Sequence, residues 1–362
     1  MNTNLDEVIL GIRPVDTVWR SKARARLNDL AIPLNSLGNL LDLAEQLAAI
    51  QESMTPSVKR KMIVTMAGDH GVCAEGVSAF PQEVTPQMVR NFVAGGAAIN
   101  VLAEAAGAGV TVVDMGVAAD LSDLAAQKKI LGYKVASGTG NMAVGPAMTR
   151  EQAIKAVEAG IEIATRLIGD GVELLGTGDM GIGNTTPSAA LLSVFSGKTP
   201  RQVTGRGTGI GDAALENKIR VIEQAIACNQ PNPRDAIDVL ARVGGFEIGG
   251  IAGLILGAAY HRVPVVVDGF ISSAGALVAK KLAPASVDYM IAAHQSLEFG
   301  HRLMLEELSL RPILNLNLRL GEGTGAALAF PIVEAASRVI FKMLTFTDAG
   351  VTGPGKEDSA HA

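Results

Sequence analysis

The segment that decides the fold reads MIVTMAGDHG at residues 62–71, an apolar run rich in β-branched residues that ends in glycine and charged side chains. Such a run predicts a buried strand, and the glycine-rich end predicts a tight loop directly after it. The same junction recurs along the chain. Apolar runs that end in glycine and polar residues lie at 110–113, 172–175, 263–267, 289–293 and 313–320.

Helix-like segments separate these runs and are long enough to be crossover connections. The clearest are Glu151 to Ile168 and Ala213 to Ala227. Strand, loop and helix in repeated order predict an α/β fold, a parallel β-sheet with helices on both faces and a Rossmann-like core. Ligands of such sheets bind beyond the carboxyl ends of the strands, so the polar loops are expected to converge on one site.

The two ends of the chain predict a smaller helical unit. Leucines recur at helical spacing through the first 55 or so residues, and 330–343 reads as another apolar helix. We therefore expect a small helical lobe from residues 1–60 and 328–350, and a large α/β catalytic domain from 61–327. The tail at 351–362 is expected to be disordered.

Composition excludes several classes of partner. The formal net charge is -5 and no Lys/Arg-rich run could neutralise a row of phosphates, which argues against nucleic acid. Cys73 and Cys228 are too few for a disulfide framework, and the N-terminus does not resemble a signal peptide. The longest apolar stretch, 248–260, is too short to cross a bilayer. A cytoplasmic protein without a membrane partner is predicted.

One glycine motif requires a second hypothesis. GTGDMG at residues 176–181 matches the dinucleotide fingerprint and follows a predicted strand. The acidic residue expected about 20 positions later is missing, because no Asp or Glu occurs between Asp179 and Asp212. An NADP-dependent oxidoreductase that uses Arg201 or Arg206 remains an alternative.

Two further glycine clusters suit a phosphate monoester. GIGNTT at 181–186 precedes a predicted helix, where backbone N–H groups and small hydroxyls could hold an anion. GRGTG at 205–209 precedes a helix that carries Lys218. On spacing alone, a pair of tight structural turns explains these clusters equally well.

Glu322 is the candidate general base. It follows the last apolar run between Gly321 and Gly323, so its carboxylate would project from a sparsely covered backbone at the end of the sheet. A carboxylate in apolar surroundings has a raised pKa and can accept a proton from a weakly acidic nucleophile. A helix-capping role is the alternative. His294 and His301 lack acidic or cysteine partners at ligand spacing, so no metal site is predicted.

Read together, the loops resemble the nicotinate-nucleotide:dimethylbenzimidazole phosphoribosyltransferase family. Eight matching segments occur in family order, and together they are highly specific. They are AGDHGV (67–72), EGVS with VTPQMV (75–78, 84–89), MGIGNTTP (180–187), GRGTG (205–209), GGFEI (244–248), DGF (268–270), AHQS (293–296) and LGEGTG (320–325). The resemblance implies a homodimeric enzyme with small-molecule substrates and no cofactor.

The resemblance also assigns roles. Glu322 would remove the benzimidazole N–H proton, and Gln87 would lie near the base. Family members often carry glutamate where this chain has Asp179, so a positional or water-mediated role is favoured for that shorter side chain. Phe80, Met180 and Leu320 are candidate walls of the base pocket or core residues. The phosphate and ribose set is Gly181, Gly183, Asn184, Thr185, Gly205, Gly207, Thr208, Gly209, Lys218 and Asp179.

The implied reaction moves the 5-phosphoribosyl group of nicotinate mononucleotide to 5,6-dimethylbenzimidazole or a related base. Inversion at C1′ would give α-ribazole 5′-phosphate and nicotinate, for the nucleotide loop of cobalamin. The pyridinium leaves as a neutral ring, so neither an acid on the leaving group nor magnesium is needed. The alternatives are the NADP-dependent oxidoreductase and a non-catalytic nucleotide-sensing protein.

Overall fold

The computed structural model describes residues 4–207 and 209–353, and these form an α/β fold around one parallel sheet. The strand order is β3-β2-β1-β4-β5-β6, and every pairing is parallel. The predicted fold class is confirmed. The strands are β1 (Lys61–Gly68), β2 (Ala108–Gly116), β3 (Leu131–Gly132), β4 (Leu174–Met180), β5 (Val265–Val267) and β6 (Met290–Ala292).

Helices connect and flank the strands throughout the described residues. The predicted crossover helices 151–168 and 213–227 correspond to α7 and α10. The helices are α1 (Leu5–Gly11), α2 (Thr17–Asn28), α3 (Asn39–Gln51), α4 (Val84–Ala94), α5 (Ala98–Ala105), α6 (Ser122–Ala126), α7 (Arg150–Gly169), α8 (Thr185–Ser196), α9 (Pro200–Val203), α10 (Asp212–Asn229), α11 (Ala236–Val243), α12 (Phe246–Tyr260), α13 (Phe270–Leu282), α14 (His301–Leu308), α15 (Thr324–Lys342) and α16 (Phe346–Ala349).

The sheet buries both of its faces, which explains why its strands are apolar at consecutive positions. In β1, Val64 and Met66 pack into the core on the side of α7, α12 and α13. Ile63 and Ala67 belong to the opposite core, which contains residues of α3, α5 and α15. Side chains alternate across a strand, so one short apolar run supplies both cores.

Helices α7 and α12 approach each other unusually closely through glycine. A Cβ on Gly160 would lie 2.0 Å from the carbonyl oxygen of Gly250, and one on Gly253 would lie 1.9 Å from that of Val157. Only glycine fits at such contacts. The glycine content of 248–260 therefore serves helix packing beneath the sheet.

Two predicted strand boundaries are wrong. The run at 172–175 was expected to end before Gly176, but β4 continues to Met180 because residues 174–180 pair with β1 along their whole length. Contacts from distant segments leave room only for glycine at positions 176 and 178. The run at 313–320 is not a strand. It forms one isolated β-bridge, between Leu314 and His294, and Asn317 at φ 57° interrupts the extended backbone before Leu318, whose carbonyl accepts the Leu297 N–H.

The chain ends meet on one side of the molecule, although the division into two domains stays a prediction. Ala31 N–H donates to the carbonyl of Leu344, and Arg26 donates to that of Met343. Helix α15 starts at Thr324, so the predicted boundary at 328 falls inside it. Among the described residues, α15 is the one helix long and apolar enough to cross a membrane, but it is largely buried in the fold.

Positions 208 and 354–362, and with them most of the predicted disordered tail, lie outside the described residues.

Candidate active site

The polar loops converge on a cavity of about 340 Å³, here called the inner cavity, at the carboxyl end of the sheet. Asp179, Gly269 and His294 reach it from the ends of β4, β5 and β6, Glu322 from the loop before α15, and Met88 from α4. The chain runs outward from β1 through β2 to β3, and then from β4 through β5 to β6. The reversal between β1 and β4 is the crevice where open α/β sheets bind ligands.

Hydrogen bonds hold the backbone of Glu322 between β1 and β4, where the strand order reverses. Its N–H donates to the carbonyl of Asp179 at 3.2 Å, and its own carbonyl accepts the Thr65 hydroxyl at 2.8 Å. Glu322 has φ 65° between Gly321 at 88° and Gly323 at 97°. A positive φ at a non-glycine residue costs about 1–3 kcal/mol, and such strain clusters at functional sites.

The Glu322 carboxylate is buried in the wall of the inner cavity, where the residue is 5% exposed. Burial raises its pKa, and the Ile99 N–H, which donates to Oε2 at 3.3 Å, partly offsets the rise. Ile99 lies in the first turn of α5 and not of α15. The alternative, a cap on the helix that begins at Thr324, is therefore not what the side chain does, because Oε2 accepts an N–H of α5 instead.

Asp179 lies in the same wall, at the end of β4, and is 5% exposed. Its Oδ2 accepts the Asn184 amide at 3.0 Å, while Oδ1 has no partner. Burial, together with the neighbouring carboxylates Asp268, Glu247 and Glu322, raises its pKa well above the usual range. This shift disfavours the ionised form of Asp179, consistent with a positional role.

The GIGNTT segment forms the start of α8, as predicted. Asn184 is the N-cap but makes no capping hydrogen bond with its side chain, which turns to Asp179 instead. The Ile182 N–H donates to Thr85 Oγ1 at 3.1 Å, so α4 holds the loop in place. The positive end of α8 thus faces the inner cavity without a side-chain cap, an arrangement that suits an anion.

Lys218 is the buried cation beside this helix end. It is 1% exposed, and Nζ donates to Thr185 Oγ1 at 2.7 Å. Burial lowers its pKa to about 8, against the opposing charge of Glu298. A Cβ on Gly207 would lie 3.2 Å from Nζ, so the GRGTG loop covers the ammonium. Two of the predicted phosphate elements therefore meet at one point.

A second cavity of about 560 Å³, here called the outer cavity, adjoins the inner one. Gly205, Gly207 and Gly209 line it. Thr208 lies outside the described residues. Glu298 and Arg319 line both cavities, and neither was predicted from the sequence. Glu298 follows the AHQS segment between two apolar residues, and Arg319 directly precedes LGEGTG, so both lie just outside the quoted motifs.

The predicted base-binding residues divide into two groups. Phe80, Met180 and Leu320 line the inner cavity, and Phe80 and Leu320 are each more than half exposed at its mouth. Gln87 is exposed on α4 and does not line it. Val84 and Met88 do, one helical turn apart. The i, i+4 spacing of Val84 and Met88 predicts that they share a helix face. The sequence alone does not show which face of α4 lines the cavity.

A buried hydrogen-bonded pair, His70 and Glu247, lies beside the loops of the site. The His70 ring lies 2.8 Å from Glu247, and both residues are at most 1% exposed. Burial lowers the pKa of His70, but the charge and hydrogen bond of Glu247 outweigh it and the net shift is upward. Asp69 points elsewhere and accepts the Ala118 N–H at 2.8 Å, a contact between the loops that follow β1 and β2.

Metal-ligand geometry is absent from the residues that the structure covers: no group of three or more His, Cys, Asp or Glu side chains there could hold an ion. The acidic groups that line the inner cavity are Asp179, Glu298 and Glu322. Burial raises the pKa of each of these carboxyl groups.

Comparison with known proteins decides the family. A family model described as phosphoribosyltransferase matches residues 12–351. Nicotinate-nucleotide–dimethylbenzimidazole phosphoribosyltransferases from Geobacter metallireducens and Geobacter sulfurreducens are each 57% identical over 349 residues, which cover 96% of this chain and 98% of theirs. The chain belongs to this family. The crystal structure of CobT from Thermus thermophilus has a TM-score of 0.89 at 48% identity, and covers 93% of this chain and 100% of its own.

Membership confirms the predicted resemblance and makes the chain a pentosyltransferase. Neither the oxidoreductase nor the sensing hypothesis gains support from the relatives. The structure also weakens the dinucleotide motif. Gly176 and Gly178 lie inside β4 rather than in a turn between strand and helix, so they cannot cradle a pyrophosphate.

Proposed function

We propose that this enzyme transfers the 5-phosphoribosyl group of nicotinate mononucleotide to 5,6-dimethylbenzimidazole or a related planar base, giving α-ribazole 5′-phosphate and nicotinate. One observation carries the proposal. The buried carboxylate of Glu322 faces a cavity of about 340 Å³ whose other end meets an uncapped helix terminus and a buried lysine. A proton acceptor and an anion site thus share one cavity.

The two substrates are assigned to the two ends of this space. The planar base occupies the inner cavity against Met88, Met180 and Leu320, within reach of Glu322. The nucleotide phosphate binds at the start of α8 beside Lys218, and its ribose and pyridine ring extend toward the outer cavity. This arrangement directs C1′ of the ribose toward the base, as an in-line displacement requires.

The proton balance explains why a single carboxylate is enough. The unprotonated ring nitrogen of the base attacks C1′, and the bond from C1′ to the pyridinium nitrogen breaks. Nicotinate takes both electrons of that bond and departs as a neutral ring. Positive charge on the new product makes its remaining N–H acidic, and Glu322 accepts that proton. General base catalysis of this kind contributes about 10²- to 10⁴-fold in rate.

We also propose that the enzyme acts in the cytoplasm as a homodimer. The scarcity of cysteine supports a reducing compartment. Sedimentation equilibrium tests the assembly: a mass near twice 37.4 kDa supports a dimer, and a mass near 37.4 kDa contradicts it.

Base-dependent release of nicotinate tests the function. Initial rates are measured with nicotinate mononucleotide while the concentration of dimethylbenzimidazole is varied. We expect release to saturate with the base and to be negligible without it. Release that ignores the base would indicate a hydrolase. Binding of the nucleotide without release would favour a sensor, and oxidation of added NADPH would favour the oxidoreductase.

A further inference from the structure

We propose that Asp268 is a positioning residue that holds Glu322 in its reactive orientation by binding the backbone on the C-terminal side of that residue. This inference rests on the proposed function, in which Glu322 is the general base. Asp268 does not line the inner cavity, and sequence analysis assigned it no role beyond the DGF loop.

The contacts of Asp268 are with the loop that carries Glu322. It is 1% exposed and follows β5 directly. Oδ2 accepts the Gly323 N–H at 3.1 Å, and Oδ1 accepts the Ala326 N–H at 3.0 Å. Its own N–H donates to Thr177 Oγ1 at 3.0 Å, which fixes the strand end beside β4. One carboxylate therefore spans residues 323–326.

This loop needs an external anchor. Residues 321–323 have three consecutive positive φ angles, and a non-glycine residue such as Glu322 rarely adopts a positive φ. Helix α15 begins immediately afterwards, and its N-cap, Gly323, has no side chain that could satisfy the first N–H groups. Asp268, which follows β5, supplies the missing acceptors. Its carboxylate caps α15 from a distant part of the chain, in place of a side chain at the N-cap position itself.

The remaining contacts fix Glu322 from the other side. The Glu322 N–H is held by the carbonyl of Asp179, and its carbonyl by Thr65. Without Asp268, the N–H groups of Gly323 and Ala326 lose their acceptor, and the Cα–Cβ bond of Glu322 could rotate with the freed loop. A displacement of about 1 Å at a catalytic group can cost about 100-fold in rate.

Asp268→Asn tests this directly. The amide keeps one acceptor oxygen and places an NH₂ group where the second N–H points. We expect kcat to fall about 100-fold, while KM for the nucleotide stays within about threefold, because the phosphate contacts of Lys218 are unchanged. Asp114→Asn is the matched control, since Asp114 is also a buried aspartate at a strand end that accepts a loop N–H, from Val117. Its kcat should stay at the wild-type value.

A double-variant cycle separates positioning from general stability. In the Glu322→Gln background, with turnover followed at enzyme concentrations above that of the nucleotide, adding Asp268→Asn should cause no further loss. An equal loss in both backgrounds would overturn the proposal, as would a change confined to KM. If Asp268→Asn does not fold, Thr177→Val replaces it, and an unchanged kcat in that variant would overturn the proposal.

The outcomes also separate this inference from the function on which it rests. Wild-type enzyme that produces no ribosylated base contradicts the proposed function, and this inference with it. Active wild-type enzyme with an Asp268→Asn variant that behaves like Asp114→Asn contradicts the positioning role alone.

Discussion

The backbone N–H of Ile99, in the first turn of α5, donates a 3.3 Å hydrogen bond to Oε2 of Glu322. Burial raises the pKa of Glu322, whereas this N–H and the positive end of the helix favour the ionised form. The two effects oppose each other at one carboxylate. The net shift of the Glu322 pKa is upward, so its carboxylate is a stronger base than that of an exposed glutamate.

Glu322→Gln should abolish most turnover without weakening substrate binding. The amide has nearly the same shape but cannot accept the proton, so kcat should fall by about 10²- to 10⁴-fold. The wild-type rate should decline as the pH is lowered through the raised pKa of Glu322, because only the ionised form accepts a proton. Steady-state rates against pH measure both effects. Undiminished kcat in the variant would remove Glu322 from its role.

Asp179→Asn should be far milder, although both carboxylates line the same cavity. Burial and the neighbouring carboxylates raise the pKa of Asp179 well above its usual range, which disfavours the ionised form. We expect kcat to stay within about tenfold of wild type, since the amide oxygen of asparagine can still accept the hydrogen bond from Asn184. Parallel assays of the two variants provide the comparison. A loss at Asp179 as large as that at Glu322 would show direct participation in proton transfer.

Lys218 should impose an alkaline limit on capture of the nucleotide. Its pKa is lowered to about 8, so the free enzyme loses this positive charge as the pH rises through that value. The kcat/KM for nicotinate mononucleotide should therefore decline above pH 8. Lys218→Met should lower it by about 10- to 100-fold, the contribution of a hydrogen bond to a charged group, and flatten the profile there. An alkaline decline that persists in Lys218→Met would contradict the assignment.

Met88, and not its neighbour Gln87, should control affinity for the base. Met88 lines the inner cavity, whereas Gln87 is exposed on the same helix. Met88→Ala removes apolar contact and should raise KM for dimethylbenzimidazole about tenfold. Gln87→Ala is the matched control and should leave KM unchanged. The reverse pattern would restore Gln87 as the residue near the base.

Gly178→Ala should inactivate the enzyme, although the glycine carries no functional group. Its Cβ would lie 2.3 Å from the carbonyl oxygen of Glu322, a backbone atom that cannot move aside alone. The displaced loop should cost about 100-fold in kcat. The control Gly169→Ala has no atom within 4 Å of its new Cβ and should leave activity unchanged. Equal activity of the two variants would mean that the Glu322 loop tolerates displacement.

The sequence was sufficient for the sheet, the crossover helices and the convergence of loops, because each depends on local periodicity. It failed where distant segments determine the conformation. Gly176 and Gly178 resemble a turn locally, but they lie in β4 because they pair with β1, and they are glycines because Phe330 and Glu322 occupy the space that side chains would need. Neither contact has a signature within the segment itself.

The prediction of site residues likewise succeeded for local motifs and failed for contacts between distant segments. Glu322, Asp179 and Lys218 were predicted because motif residues carry chemistry at recognisable positions. Asp268 and Glu298 were missed as functional residues, because their roles depend on which loops the fold brings beside them. A hydrogen bond that spans 55 residues, from Gly323 to Asp268, is invisible to any local pattern.

The most direct test of the account is the product analysis of a single reaction. Enzyme is incubated with nicotinate mononucleotide and 5,6-dimethylbenzimidazole, and both products are quantified by chromatography and identified by mass and anomeric configuration. We predict equimolar nicotinate and α-ribazole 5′-phosphate with the wild type, and almost none with Glu322→Gln. Nicotinate without ribosylated base, a β-configured product, or no product at all would contradict the account.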